Sequence, residues 1–201
     1  MKILTLVLGP LETNCYIVSD EKSGLCAVID PATRSAKILD TVQAQGWRIG
    51  CILLTHAHFD HTGALKSLHA ALPEVPIYVH PLDTDELLNM SGGNLIYTNT
   101  YADGDTVLCG GLEFHVLHTP GHTQGSVCLQ CERTLFTGDT LFAGSYGRTD
   151  FSGGDDAAMR RSLARLGLLA GDYTVLPGHG EGTTLDAERR TNFYLQEAMR
   201  A

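Results

Sequence analysis

With 201 residues, 43 % of them apolar and 18 % charged, the chain suits one substantial hydrophobic core and is marginal for two, so a single domain over residues 1–201 is expected. The net charge is −9, and the 14 Lys and Arg residues are scattered, leaving no basic stripe for a phosphate backbone. Nucleic acid is therefore not an expected partner, and no low-complexity tract points to disorder.

Residues 1–10 hold one Lys and an apolar run too short to span a membrane, without a small-residue cleavage pattern, and read as a first strand. Strands over 14–19 and 25–30 flank the turn-like Asp20-Glu21-Lys22-Ser23-Gly24, a hairpin signal. A helix is expected over 35–45, stopped at Gly46 by a glycine cap. Residues 49–55 are almost continuously apolar, which suits a strand covered on both faces. Beyond it come a helix over 65–72, a strand over 77–80 and a short helix over 83–90. Residues 101–142 are strand-rich and punctuated by Gly and Asp turns. Asp155 and Asp156 can cap a helix reaching about residue 169, because carboxylates accept from free N–H groups at the positive end of the helix dipole. A strand over 174–176, a glycine-rich loop around His179 and one last helix from about residue 185 complete the chain. The recurrence of strands, helix and strand in both halves fits two sheets packed face to face with helices outside.

Six cysteines, Cys15, Cys26, Cys51, Cys109, Cys128 and Cys131, lie mostly in expected strands, where thiols pack as small apolar groups. Together with the N-terminal reading they favour a reducing cytoplasm as the location. Cys128 and Cys131 have redox or zinc spacing, but residues three apart on a strand face opposite sides, so two packed thiols are expected.

The chemistry concentrates in Thr55-His56-Ala57-His58-Phe59-Asp60-His61, directly after the apolar strand. On a helix, residues two apart point to nearly opposite sides, so for His56 and His58 to share an ion the segment must be an extended loop or strand end. The same side-chain chemistry recurs next to glycine in Pro120-Gly121-His122, Gly138-Asp139 and Pro177-Gly178-His179-Gly180. Seven candidate ligands, His56, His58, Asp60, His61, His122, Asp139 and His179, exceed the complement of one zinc and suit two ions about 3.5–4 Å apart. Mixed imidazole and carboxylate donors point to Zn²⁺ first, with Fe or Mn²⁺ next, over Mg²⁺ or Ca²⁺. His69, His80, His115 and His118 lack such settings and read as ordinary helix and strand residues.

In their order along almost the whole chain, Thr-His-x-His-x-Asp-His, Pro-Gly-His, Gly-Asp and Pro-Gly-His-Gly resemble the metallo-β-lactamase superfamily. That resemblance implies an α/β fold, a four-layer αβ/βα sandwich, with the metals at one edge between the sheets. It also implies the division of ligands: His56, His58 and His122 on one ion, Asp60, His61 and His179 on the other, and Asp139 bridging. Residues 138–151 look most like the type II glyoxalase branch, the hydroxyacylglutathione hydrolases, in its single-domain form. The two-domain members carry in this loop a lysine near position 148 and a tyrosine two residues on; here Arg148 keeps the basic group and Asp150 stands for the tyrosine.

The expected activity is hydrolysis of S-D-lactoylglutathione or a related hydroxyacyl thioester. Two ions lower the pKa of a bridging water, one stabilises the oxygen of the attacked carbonyl, and the other accepts the departing thiolate. Asp60 is the candidate for orienting the hydroxide or moving its proton. Arg148 is the candidate for gripping a substrate carboxylate, with a salt bridge to Asp150 or Asp155 as its alternative, and Tyr146 is a candidate for lining the pocket. The rivals are a persulfide dioxygenase with mononuclear iron, suggested by Gly147-Arg148-Thr149-Asp150-Phe151, and a lactonase. A metal-stabilised binding module is the non-enzyme alternative. A β-lactamase is disfavoured, because a bridging aspartate is not that group's pattern.

Overall fold

The computed structural model describes residues 1–200 apart from Glu86, Leu87, Asn89 and Asn94. β1 (Lys2–Leu8), β2 (Thr13–Asp20) and β3 (Leu25–Ile29) form an antiparallel meander, and the expected hairpin is closed by Gly24 N–H donating to the Asp20 carbonyl at 2.9 Å. α1 (Ser35–Ala44) stops before Gly46, whose φ of 70° is the left-handed conformation that ends helices at glycine. β4 (Arg48–Leu53) returns parallel to β3, followed by α2 (Phe59–Thr62) and α3 (Leu65–Ala71). β5 (Ile77–Val79) and β6 (Asn99–Thr100) add further parallel strands, giving a sheet of order β1-β2-β3-β4-β5-β6.

The second sheet begins with the antiparallel run β7 (Thr106–Cys109), β8 (Leu112–His118), β9 (Val127–Cys131) and β10 (Thr134–Gly138). A two-stranded ribbon of β11 (Leu141–Phe142) and β12 (Ser145–Tyr146) follows, then α4 (Asp156–Gly167), with the Asp155 side chain accepting from Ala158 N–H as its cap. β13 (Thr174–Pro177) lies parallel to β10, and β14 (Thr183–Thr184) completes the order β14-β13-β10-β9-β8-β7. α5 (Leu185–Thr191) and α6 (Phe193–Arg200) end the chain.

Period-two alternation sorts the strand residues into layers. In β2 and β3, Cys15, Ile17, Cys26 and Val28 pack outward with Ile38 and Val42 of α1 and Leu65 and Leu68 of α3. Their neighbours Tyr16, Val18, Ala27 and Ile29 face inward and meet Phe114, Val116, Leu129 and Phe136 of the second sheet. On that sheet's far side Cys128, Leu135 and Val175 pack under Met159, Leu163 and Leu166 of α4 and Leu195 of α6. The order helix, sheet, sheet, helix is the expected four-layer αβ/βα sandwich, and the double coverage explains why residues 49–55 read as an almost continuous apolar run.

Cys128 and Cys131 lie in different apolar layers on opposite faces of β9, as the strand geometry requires. Burial pushes both thiols up to about 11, so they are packing residues. Two expectations need correcting, and a third lies partly outside the described residues. Segment 55–61 is extended only through His58; α2 then forms a single turn, and Asp60 and His61 both lie on it. The one last helix is two, because Asn192 is extended and its Oδ1 accepts from Tyr194 and Leu195 N–H, starting a new helix. The expected helix over 83–90 falls partly on Glu86, Leu87 and Asn89, outside the described residues, and Asp83 itself ends the 3-10 turn Pro81–Asp83. Among the described residues no helix is long and apolar enough to cross a membrane.

Phe136 is wholly buried where the sheets meet, its ring 5.3 Å from that of Tyr16 and 6.5 Å from that of Phe114. Phe136→Ala is expected to lower the unfolding free energy by ~3–5 kcal/mol in a urea titration. A loss below ~1 kcal/mol would mean that the sheet interface can collapse around the gap.

Candidate metal centre

β3, β4, β10 and β13 all end at the same edge of the sandwich, because β3 is parallel to β4 and β10 to β13. The loops leaving these ends, with the β8–β9 connection, carry the seven candidate ligands. His56, His58 and His122 form one group whose donor atoms lie within 4.8 Å of one another, and Asp60, His61 and His179 form a second. Asp139 reaches both: its Oδ2 is 3.4 Å from His122 Nε2 and 3.6 Å from His179 Nε2, and its Oδ1 is 3.5 Å from His61 Nε2. All seven residues singled out from the sequence are thus brought together.

The loops are pinned to one another by backbone and amide contacts. Asn14 at the start of β2 donates from its side chain to the carbonyls of Pro177 and Gly180, and its N–H donates to Gly178, which fixes the loop bearing His179. Gly178 N–H in turn donates to the Gly138 carbonyl at 2.8 Å, tying that loop to the one bearing Asp139. Two glycines are required sterically. A Cβ at Gly138, whose φ is 47°, would lie 2.3 Å from Thr55 Oγ1, and one at Gly178 would lie 2.2 Å from Asp139 Oδ1.

In His122, His179 and His61 the outward ring nitrogen has a partner that settles the inward one. His122 Nδ1 donates to the Arg148 carbonyl at 2.7 Å and His179 Nδ1 to the Leu11 carbonyl at 2.9 Å; a carbonyl only accepts, so both Nε2 atoms keep a lone pair when the ring is neutral. His61 Nδ1 donates to Asp30 Oδ2 at 2.9 Å. The Nε2 atoms of His61 and His179 then face each other at 3.4 Å, and His122 Nε2 faces His58 Nδ1 at 2.9 Å. His56 Nε2, His58 Nε2 and Asp139 Oδ1 are buried with no hydrogen-bond partner. Buried polar atoms without partners and lone pairs aimed at one another are unfavourable unless a cation receives them, so the donor set fits a metal pair.

Two carboxylates that sequence reasoning passed over complete the frame. Asp30, 1 % exposed, accepts from Thr55 N–H at 2.7 Å, Thr55 Oγ1 at 2.6 Å and His61 Nδ1, so it anchors the segment holding His56 while orienting His61. Although Asp30 sits near His56 and His61, its oxygens are thereby engaged in hydrogen bonds. Asp83, 2 % exposed, accepts from Ala57 N–H, Thr123 Oγ1 and Gly125 N–H, joining the His56/His58 loop to the His122 loop. Burial raises its carboxyl above the ordinary value, against these hydrogen bonds.

Protonation divides the site in two. Burial, then the nearby imidazoles of His61, His58 and His122, hold His56 well below the ordinary histidine value; burial and His122 hold His58 down to about 3. For His61 burial acts in the same direction, but Asp139, Asp30 and Asp60 outweigh it and lift the ring to about 9. His179 is also raised, by its hydrogen bond to Asp60 and by Asp139, against burial. Asp60 is held well below the carboxylate range: burial opposes this, but His179, His61 and the Thr13 hydroxyl at 3.0 Å prevail.

The two groups form the floor of a cleft of about 680 Å³, walled by Phe59, Phe142, Tyr146, Arg148 and Phe151 among others. Tyr146 lines it, as expected, and its ring also rests 4.8 Å from that of Tyr194. Arg148 lines it too, and its guanidinium makes the alternative salt bridge, paired with both oxygens of Asp150 at 2.6 Å. His69, His80, His115 and His118 stay outside this cluster; His80 and His118 stack on each other at 4.2 Å.

The family pattern described as the metallo-beta-lactamase superfamily matches residues 8–179. The chain belongs to this superfamily, whose members are mostly metal-dependent hydrolases. It is 35 % identical to the probable metallo-hydrolase YqgX of Bacillus subtilis, over 97 % of this chain and 98 % of that one. Among solved structures it resembles the B3 metallo-beta-lactamase BLEG-1, with a TM-score of 0.88 and 31 % identity over 96 % of this chain and 99 % of that one. It also resembles TTHA1623, solved in a di-iron-bound form, with a TM-score of 0.83 and 39 % identity over 95 % and 99 % of the two chains. ETHE1 from Myxococcus xanthus gives a TM-score of 0.83 and 28 % identity over 96 % of this chain and 84 % of that one.

Two outcomes are expected of the centre. Because His61 titrates near 9 and His179 is also raised, cation binding at their group must release protons near neutrality, and its affinity should rise by up to about tenfold per pH unit for each proton, levelling off above about 9. His58, already neutral down to about 3, adds no such slope. Calorimetry in buffers of different ionisation heat measures the release, and binding without it would contradict this assignment. Gly178→Ala should reduce bound metal from about two ions per chain to about one with an unchanged far-ultraviolet circular dichroism spectrum.

Proposed function

We propose that the chain hydrolyses thioesters, with S-D-lactoylglutathione or a related hydroxyacyl thioester as substrate, at a centre of two divalent cations held by His56, His58 and His122 and by Asp60, His61 and His179, with Asp139 bridging. The observation that carries the reading is the placement of Asp139 between two three-residue donor groups on the floor of an open cleft. A closed structural site would have no side open to a substrate. When bound, such a pair of cations activates water near neutral pH and polarises a carbonyl, and borderline-soft zinc or iron suits a thiolate leaving group.

The chain's own residues supply position and proton handling. Asp60 is the candidate to orient the attacking water or take its proton; Thr13 Oγ1 donates to its Oδ2, fixing the carboxylate on the turn of α2. The Arg148 carbonyl fixes the tautomer of His122, so the loop that forms one cleft wall also sets a candidate ligand. Phe59, Phe142 and Phe151 give the cleft apolar walls that exclude water from the reacting group. The likeness to TTHA1623, solved in a di-iron-bound form, supports iron as an alternative to zinc.

The likeness to BLEG-1 makes β-lactam hydrolysis the second reading, and the likeness to ETHE1 keeps persulfide dioxygenation as a third. The presence of both donor groups supports two cations over the single iron of the third. The test is turnover of S-D-lactoylglutathione, of a β-lactam and of glutathione persulfide with oxygen uptake, alongside elemental analysis. Thioester hydrolysis with about two metals per chain is expected, abolished by chelation. His58→Ala and Asp139→Ala should each lose more than about a hundredfold, beyond what an outer partner of a ligand is worth. Turnover of the β-lactam or persulfide alone, or full thioester turnover in either variant, would overturn the reading.

A further inference from the structure

The cleft above the candidate metal centre has an apolar rim and, among its described lining residues, one arginine and no lysine, and that arginine is already paired. Leu11, Phe59 and Met90 line it while remaining 50 %, 52 % and 37 % exposed, so the rim offers apolar surface that nothing in the described chain covers. Arg148 is the sole Lys or Arg among the described lining residues. Its Nε and Nη2 donate to Asp150 Oδ1 and Oδ2, each at 2.6 Å, and its guanidinium carbon lies 3.8 Å from the centre of the Phe151 ring. The Nε/Nη2 edge is thus taken by a carboxylate and one face by an aromatic ring, which leaves Nη1 and the opposite face for a ligand.

From this geometry we propose that Asp150 sets the charge of the substrate, so that the cleft takes thioesters with an uncharged, apolar body in preference to thioesters carrying carboxylates. This rests on the thioesterase reading above and, within it, favours a related hydroxyacyl thioester over S-D-lactoylglutathione. A substrate carboxylate reaching Arg148 either displaces Asp150, exchanging one ion pair for another, or binds at Nη1 on a guanidinium already neutralised; in both cases the Asp150 charge stays beside it. The net gain is small for a pair in contact with solvent. An apolar thiol or acyl group, in contrast, covers the aromatic and aliphatic rim and gains by leaving water. The pair is also fixed in place relative to the reacting centre, because the Arg148 carbonyl holds His122 and the Phe151 ring lies edge-on to His58 at 6.0 Å.

The test compares kcat/KM for two D-lactoyl thioesters on the metal-loaded protein, one of glutathione, which carries two carboxylates and an ammonium group, and one of benzyl mercaptan, which carries no charge. The native chain is expected to prefer the benzyl thioester by at least about tenfold, through burial of the ring. Asp150→Asn, at a solvent-exposed position, should move that ratio about two- to fivefold toward the glutathione thioester, chiefly in KM, as Arg148 is released. Arg148→Ala added to Asp150→Asn should cancel the movement. Preference of the native chain for the glutathione thioester, or a ratio that Asp150→Asn leaves unmoved, would overturn the proposal. If neither thioester is hydrolysed, the thioesterase reading falls by itself. Charge selection is then decided by calorimetric binding of S-benzylglutathione and of the uncharged thioether dibenzyl sulfide to the same proteins. The same order and the same shift with Asp150→Asn support it, and the reverse order overturns it.

Discussion

The facing ring nitrogens of His61 and His179 impose the constraint on which the rest of the site depends. Each ring donates outward from Nδ1, to Asp30 and to the Leu11 carbonyl, and so turns an Nε2 lone pair inward, where the two nitrogens stand 3.4 Å apart. Like lone pairs at that distance, with the Asp60 and Asp139 carboxylates beside them, require a positive charge. Without metal a proton on His61 meets the need, favoured against burial by Asp139, Asp30 and Asp60. A divalent cation meets it better, because it can accept several donors at once.

The fold supplies the convergence. A pair of parallel strands in each sheet brings β3 and β4, and β10 and β13, to a common edge, and the polar loops leave from there. Hydrogen bonds then lock loop to loop across the sandwich: Asn14 to the residue 177–180 loop, Gly178 to Gly138, Asp30 to Thr55, and Asp83 to both the residue 57 and residue 123–125 segments. Three apolar layers hold the frame rigid, so that donors from four separate connections keep fixed positions.

The candidate ligands were legible because each sits in a short motif with its own signature: four crowd the His-x-His-x-Asp-His run after an apolar strand, and His122, Asp139 and His179 each stand beside glycine. Strand coverage was legible for a similar reason: residues 49–55 are apolar at every other position on both faces. Asp30 and Asp83 were not legible, since each is a lone carboxylate whose partners are 25 to 42 residues away and no local pattern marks it. Asp30-Pro31 directly after an apolar strand was the one available hint. The break at Asn192 had a visible signal, a residue type that caps helices just before Phe193, but the apolar periodicity runs through it. The engagement of Arg148 by Asp150 stood as one of two alternatives, and only coordinates choose between partners two residues and seven residues away.

The proposed substrate choice rests on features less deeply embedded than the candidate metal centre, a solvent-exposed ion pair and an apolar rim left uncovered by the described residues, which can change without disturbing the layers beneath. The centre itself is tested most directly by X-ray absorption spectroscopy on the protein loaded with zinc or iron. The account predicts a metal–metal scattering shell at about 3.5–4 Å together with nitrogen and oxygen donors. A spectrum with a single isolated ion, or one showing sulfur ligation, would contradict it.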